Sequence, residues 1–207
     1  MIFLQPLYQF IANHFEERIN HFPLVKLIIT SLDKTMLYFL IFLVLRFLYL
    51  KLTHKQTSKK HEVLLGCFTF YLILLYSLTV FRNIYFPWQL NFKFDRPLSA
   101  INLTVWTETA KLSYAASKVD FMYNFWGNIL WFIPFGLIYP WLHRYQFSFW
   151  KTIMMGALIS FSIESLQFVL QTGVSDIDDL IFNVIGVVIG YLMYAFSLKN
   201  SRKSLTN

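Results

Sequence analysis

Apolar residues gather into five runs of about twenty, parted by short polar stretches. A helix needs about 20 mostly apolar residues to cross a bilayer core. The runs fall at roughly 30–50, 62–81, 121–142, 152–171 and 179–198. Asp33 and Lys34 make the first run weakest at its start. Ahead of it, residues 1–22 mix Phe3, Leu7 and Phe10 with Glu16, Glu17 and Arg18. That mixture predicts an amphipathic helix lying on the membrane. It is not read as a signal peptide, because no basic n-region precedes the apolar residues and no small-residue cleavage site follows. The sequence carries no internal repeat and no low-complexity tract. The pattern predicts an all-α fold: a polytopic membrane helix bundle of about five transmembrane helices with an N-terminal amphipathic segment.

Composition excludes a separate soluble domain. Apolar residues make up 57% of the 207 and charged residues 14%, against about 25% charged in soluble domains. The single cysteine, Cys67, excludes an internal disulfide framework and a cysteine metal cluster. The net charge of +7 raises the question of nucleic acid. The basic residues are spread over loops on both sides of the spans, so no nucleic-acid partner is expected. They do orient the chain. Nine Lys and Arg fall in the 29 residues of 51–61, 143–151 and 199–207, and eight in the 80 residues of 1–34, 82–120 and 172–178. The positive-inside rule then places the N-terminus outside and the C-terminus in the cytoplasm of a multi-pass cell-membrane protein. Arg46, near the inner end of the first span, is expected to snorkel. Tyr85, Trp88 and Trp106 in the long outer loop suit the headgroup level.

Polar residues inside the last three spans are the informative ones. Asn124 and Asn128 are four apart on one face of span three, with Gly127 between them. Pro134 followed by Gly136 should kink that helix. Glu164 and Gln167 share a face of span four, with Ser160 four residues before Glu164. Asp176, Asp179 and Asn183 share a face at the start of span five, and Gly186 and Gly190 continue it as GxxxG, a pattern that lets another helix approach closely. At 1.5 Å per residue, Asn128 lies about 10 Å inside span three, Glu164 about 10 Å below Gln171, and Asn183 about 6 Å below Asp179. Three helices thus place polar groups in one layer of the outer half of the membrane. An acid there costs roughly 2.5–3.5 kcal/mol and marks a functional site by default. Part of the acid run has a structural reading, since Ser175 with Asp178 fits a capping box. The two Asn residues also have one, as hydrogen-bond bridges between helices. Of only eleven acids in the chain, Asp120, Glu164, Asp176, Asp178 and Asp179 lie within or at the mouth of these spans.

Catalytic templates mostly fail. His14, His21, His54, His61 and His143 all lie outside the spans, and HExxH, GxSxG and a P-loop are absent. No cofactor or metal is expected, and no catalytic residue is assigned.

Taken in order, "NFWGNILWFIPFGLIYPWL", "SIESLQFVLQTG" and "DIDDLIFNVIGVVIGYL" resemble the VanZ family of bacterial integral membrane proteins. The resemblance covers roughly residues 78–196. It divides the chain into residues 1–77 with the amphipathic segment and first two spans, a VanZ-like domain at 78–196, and a basic cytoplasmic tail at 197–207. The matching set is Asn124, Gly127-Asn128, Pro134-x-Gly136, Glu164-x-x-Gln167, Asp176-x-Asp178-Asp179 and Asn183-x-x-Gly186. Upstream, "INLTVWTET" is similar to a family stretch reading Asn-Leu-x-Pro-Phe but departs from it at Thr104-Val105-Trp106. Many members carry Arg in the loop after the Glu-x-x-Gln helix, where this chain has Gly173-Val174.

The resemblance implies a role at the Gram-positive cell surface. The namesake is an accessory protein of glycopeptide-resistance clusters, associated with reduced susceptibility to teicoplanin, a lipid-tailed glycopeptide. No settled enzymatic activity accompanies the family. The leading expectation is a non-catalytic membrane protein whose partners are membrane lipids and whose polar layer binds a lipid-linked or glycan headgroup. Asn124, Asn128, Glu164, Gln167, Asp176, Asp179 and Asn183 are the ligand-binding candidates. One alternative is a membrane enzyme acting on an envelope lipid or lipid-linked cell-wall precursor, with Glu164 and Asp179 as an acid/base pair or as oxygen ligands of a hard cation. Another is a transporter or ion pathway, though five spans without a repeat match inverted-repeat transporters poorly. The sequence specifies no oligomeric state.

Overall fold

The computed structural model describes residues 1–19, 21–105, 118–143 and 148–203, with side chains described except at 98, 118–124 and 200–203. Among these residues lie six α-helices: α1 (Gln5–Phe15), α2 (Phe22–Thr53), α3 (Lys59–Thr79), α4 (Lys118–Leu142), α5 (Phe149–Leu170) and α6 (Ile177–Lys203). Five of them, α2 to α6, are long and apolar enough to cross a membrane. The all-α, five-span fold read from the hydrophobic pattern is therefore the fold observed. The chain forms two compact units, Met1–Asn91 and Phe92–Asn207.

In the first unit α2 packs on α3. Apolar side chains along α2, among them Leu40, Val44, Phe47 and Leu48, are exposed, as expected of a face turned to lipid rather than water. The polar start of α2 is not a frayed end. Asp33 and Lys34 are 0% and 1% exposed, and their side chains serve two different helix ends. The Asp33 carboxylate accepts from the backbone N–H groups of Ile2, Phe3 and Leu4 at 2.7, 2.7 and 2.6 Å. These precede and enter α1, where orphan donors and the helix dipole both favour an anion. The Tyr85 hydroxyl donates to the same carboxylate. Burial, then the hydrogen bond to Asp33 and its charge, push the Tyr85 phenol above its usual range, which keeps it a donor. Lys34 Nζ donates to the Phe81 and Ile84 carbonyls just past the end of α3, where a cation suits the carbonyl end of a helix.

At the other end of this pair of helices Arg46 donates twice to Glu62, Nε at 2.9 Å and Nη2 at 2.7 Å. It thus meets a carboxylate in bidentate geometry rather than simply snorkelling. Along α1, Leu7 and Phe10 are exposed, in keeping with the amphipathic helix expected there.

In the second unit α6 packs against both α4 and α5. The reason lies in its glycines. A Cβ at Gly186 would sit 2.2 Å from the Ile129 carbonyl oxygen, and one at Gly190 2.1 Å from that of Ile133. Gly136 answers from α4, where a Cβ would sit 2.1 Å from the Val187 carbonyl oxygen. On the opposite side the Val187 side chain fills the space that a Cβ at Gly156 of α5 would need, at 2.5 Å. The GxxxG stripe therefore works as the packing seam expected of it. Helix α4 is uninterrupted through Pro134 and Pro140. Ser148 caps α5, its side chain accepting from the Lys151 N–H.

Candidate functional site

The polar layer of the second unit forms where α5 ends, α6 begins and α4 passes beside them. Helix α5 closes on Gln171 in the left-handed conformation, φ 53°, and the chain returns through 172–176 into α6. This tight return brings the start of α6 beside the last turns of α5. Glu164 Oε2 accepts from the Asp176 N–H at 3.1 Å, and the Ser175 hydroxyl donates to the Glu164 carbonyl at 2.7 Å. Glu164 is 9% exposed, and its carboxyl lies near enough to those of Asp179 and Asp176 to feel their charges. Three acids thus crowd one helix junction.

Amides tie this junction to the neighbouring elements. Asn128 of α4 donates from Nδ2 to Asp179 Oδ1 at 2.6 Å. Asn183 of α6 donates from Nδ2 to the Ser160 hydroxyl, one turn before Glu164 on α5, at 2.9 Å. Among the described residues, the buried Asn183 Oδ1 atom has no hydrogen-bond partner, nor has the Thr172 hydroxyl oxygen in the return. Such orphaned acceptors are uncommon and call for an explanation. A Cβ at Gly127, next to Asn128 in sequence, would meet nothing within 4 Å among the described residues.

Five of the seven candidates, Asn128, Glu164, Asp176, Asp179 and Asn183, come together at this junction. Glu164 is not bonded to either Asn: Asn128 goes to Asp179 and Asn183 to Ser160. Gln167 is buried beneath the return, close enough that a Cβ at Gly173 would stand 3.1 Å from its Cδ. Asn124 lies on α4, and its side chain falls outside the described residues, as do that of Asp120 and residues Trp106 and Arg144. The capping-box reading of Ser175 with Asp178 is corrected. Ser175 is buried and spends its hydroxyl on the Glu164 carbonyl, while the Asp178 N–H is accepted at 2.9 Å by Asp176 Oδ1. Asp176 is the capping residue, because the return turns Ser175 inward.

Sequence reasoning missed Asn102. Its backbone pairs with the return in an isolated parallel bridge, N–H to the Ser175 carbonyl and carbonyl from the Ile177 N–H, both at 3.0 Å. Its side chain donates to Asp176 Oδ2 at 2.9 Å. Asp176 thus caps α6 with one oxygen and holds Asn102 with the other. The one signal was the Asn-Leu opening of "INLTVWTET". Two cations from the same loop also reach the return. Lys93 Nζ donates to Gln171 Oε1 at 3.1 Å, and the Arg96 guanidinium lies 5.0 Å over the Phe168 ring with the Phe168 and Gly173 carbonyls at 3.4 Å. The position that lacks a basic residue in the local sequence therefore has basic side chains beside it in space.

Among the described residues no group of three or more His, Cys, Asp or Glu is placed to hold a metal. The arrangement can accept hydrogen bonds and attract positive charge.

A model of the VanZ/LLP1 family matches residues 68–198. The chain belongs to the VanZ/LLP1 family. The matched residues take in most of α3, the described parts of the loop, and the whole acid–amide junction. A family relative, Protein VanZ of Enterococcus faecium, is 28% identical over 131 residues, which cover 62% of this chain and 74% of that protein. No solved structure matches the chain. Family membership and the five apolar helices together make this VanZ/LLP1 protein a multi-pass membrane protein.

Proposed function

We propose that this VanZ/LLP1 protein acts at the bacterial cell surface. Its junction of α4, α5 and α6 faces outward and binds a lipid-linked or glycan headgroup of the envelope, lowering the binding of a lipid-tailed glycopeptide such as teicoplanin. In this reading the N-terminus is outside and the C-terminus cytoplasmic, in keeping with the charge of the loops. The observation that carries it is the juxtaposition of Glu164, Asp176 and Asp179 within the ends of apolar helices, beside an unpartnered Asn183 oxygen. An acid layer with spare acceptors suits a headgroup rich in hydroxyl or ammonium donors. The test is expression of wild type and Glu164→Gln in a sensitive Gram-positive host, with surface-bound labelled teicoplanin and susceptibility as readouts. Wild type is expected to lower binding and Glu164→Gln to restore it. Unchanged binding and susceptibility with wild type sink the reading.

The same crowding of Glu164 with Asp179 favours a second reading, an acid pair that moves a proton on an envelope lipid or lipid-linked precursor. Incubation of the purified protein with lipid-linked precursors, followed by mass spectrometry, separates the two. A product that disappears in Glu164→Gln establishes catalysis, and its absence leaves binding.

A further inference from the structure

The first unit holds a cavity of about 650 Å³ between α2 and α3. One wall is a single face of α2: Lys34, Tyr38, Ile41, Phe42 and Leu45. The other is α3, including Leu72 and Ile73, and the 81–90 segment closes one end. The lining is mostly apolar, with polar groups from Lys34, Tyr38 and Tyr85 at one end and from Thr69, Tyr76 and Ser77 on α3.

Three features together identify an occupant. The first is length. From Lys34 to Leu45 the groove runs about 16 Å along α2, roughly half of a ~30 Å hydrocarbon core and so the depth of one leaflet. A second transmembrane helix would need the whole span, and Phe86, Pro87 and Leu90 stand across the polar end. The second is charge. Asp33 is fully engaged by three backbone N–H groups and Tyr85. Lys34 spends two of its three N–H groups on carbonyls, and among the described residues the ion pair is Arg46 with Glu62, not any acid with Lys34. A buried cation without a carboxylate, at the polar end of an apolar groove, attracts an anion. The third is the closing segment itself. Tyr38 donates to the Tyr85 carbonyl at 2.8 Å, which pins that segment to α2 across the polar end.

We propose that this groove is a lipid site, taking one acyl chain of an anionic phospholipid with its phosphate drawn to the Lys34 end. The site lies wholly within the first unit and is independent of the acid–amide junction.

The test is native mass spectrometry of the detergent-purified full chain, titrated with phosphatidylglycerol or with phosphatidylcholine of the same acyl chains. Wild type is expected to retain phosphatidylglycerol at least about tenfold better than phosphatidylcholine. Leu72→Trp, which fills the groove, is expected to lose both, and Lys34→Gln to lose the preference while keeping the chain. Circular dichroism melting checks that each variant is folded. Should Lys34→Gln fail to fold, wild type and Leu72→Trp decide the matter. Equal retention of the two lipids by wild type overturns the proposal. So does a folded Leu72→Trp that holds as much phosphatidylglycerol as wild type, or a lipid-free dimer that Leu72→Trp abolishes.

Discussion

Asp33 and Glu164 are both acids buried in apolar helices, and both lie against the start of another helix, yet their surroundings are opposite. Asp33 receives four donors: the N–H groups of Ile2, Phe3 and Leu4 and the Tyr85 hydroxyl. That is about all that a carboxylate can accept. Glu164 accepts the Asp176 N–H and sits near two further carboxylates. Both carboxyl groups are buried, so burial alone does not separate a structural acid from a functional one. Donor supply does. Asp33 is consumed by the fold, tying residues 2–4 and Tyr85 to α2. Glu164 keeps acceptor capacity that the described residues do not use.

The largest expected effect breaks the first member of that pair. Hydrogen bonds to charged groups contribute about 1.5–3 kcal/mol each, and orphaning buried donors adds to the loss. Asp33→Ala is therefore expected to destabilise the protein by about 3 kcal/mol or more, read by denaturant unfolding in micelles followed by circular dichroism. A loss under about 1 kcal/mol means that the α1 end does not depend on the carboxylate, and the contrast with Glu164 collapses.

In the second unit stability rests on backbone proximity rather than on charge, so the next largest effect comes from a side chain placed in the seam. Gly190→Val is expected to cost about 1–3 kcal/mol by overpacking, because even its Cβ would meet the Ile133 carbonyl oxygen at 2.1 Å. The α4 and α6 backbones must part to admit it. Melting of the variant in detergent checks this, and an unchanged melting temperature would show that the helices are not packed through this stripe.

Glu164→Gln sharpens the contrast directly. It keeps the shape and an acceptor for the Asp176 N–H, and it replaces one of three crowded carboxyl groups with an amide that cannot ionise. The expected stability change is within about 1 kcal/mol, while the effect on teicoplanin binding is lost. If neutralising Glu164 costs as much as removing Asp33, the acid is structural and the binding site lies elsewhere.

The spans were legible because membrane thickness demands a length that few other arguments supply. Their convergence was legible too: counting residues from the span ends put Asn128, Glu164 and Asn183 at one level, and they lie at one junction. The pairings were not legible, because they depend on helix rotation and on the path of the return. Asn128 bonds to Asp179 and Glu164 to a backbone N–H, choices that residue spacing leaves open. Asn102 and Arg96 reach the junction from 74 and 72 residues away along an irregular loop, which has no period to read. Asp33 and Lys34 looked like a weak helix start because their partners are 29–52 residues away on either side. Ser175 fits a capping pattern that Asp176 fulfils, since one turn of backbone decides which side chain faces the helix.

The smallest expected effect is the most discriminating. Gly127 lies within α4, no glycine here has positive φ, and a Cβ at this position meets nothing within 4 Å. Neither backbone conformation nor packing calls for glycine, unlike Gly136, Gly186 and Gly190. Gly in a helix interior costs about 0.5–1 kcal/mol relative to Ala, so Gly127→Ala is expected to stabilise the protein by that amount. The next residue, Asn128, holds Asp179, so Gly127 stands at the level of the acid layer on α4. If a headgroup approaches there, a methyl group obstructs it, and the more stable variant should lower teicoplanin binding less than wild type does. A destabilised Gly127→Ala would show that the space is filled and return Gly127 to the packing glycines. A stabilised and fully active variant would place the approach on another side of the junction. Only a gain in stability joined to a loss of function marks the face of α4 beside Asn128 as the entrance.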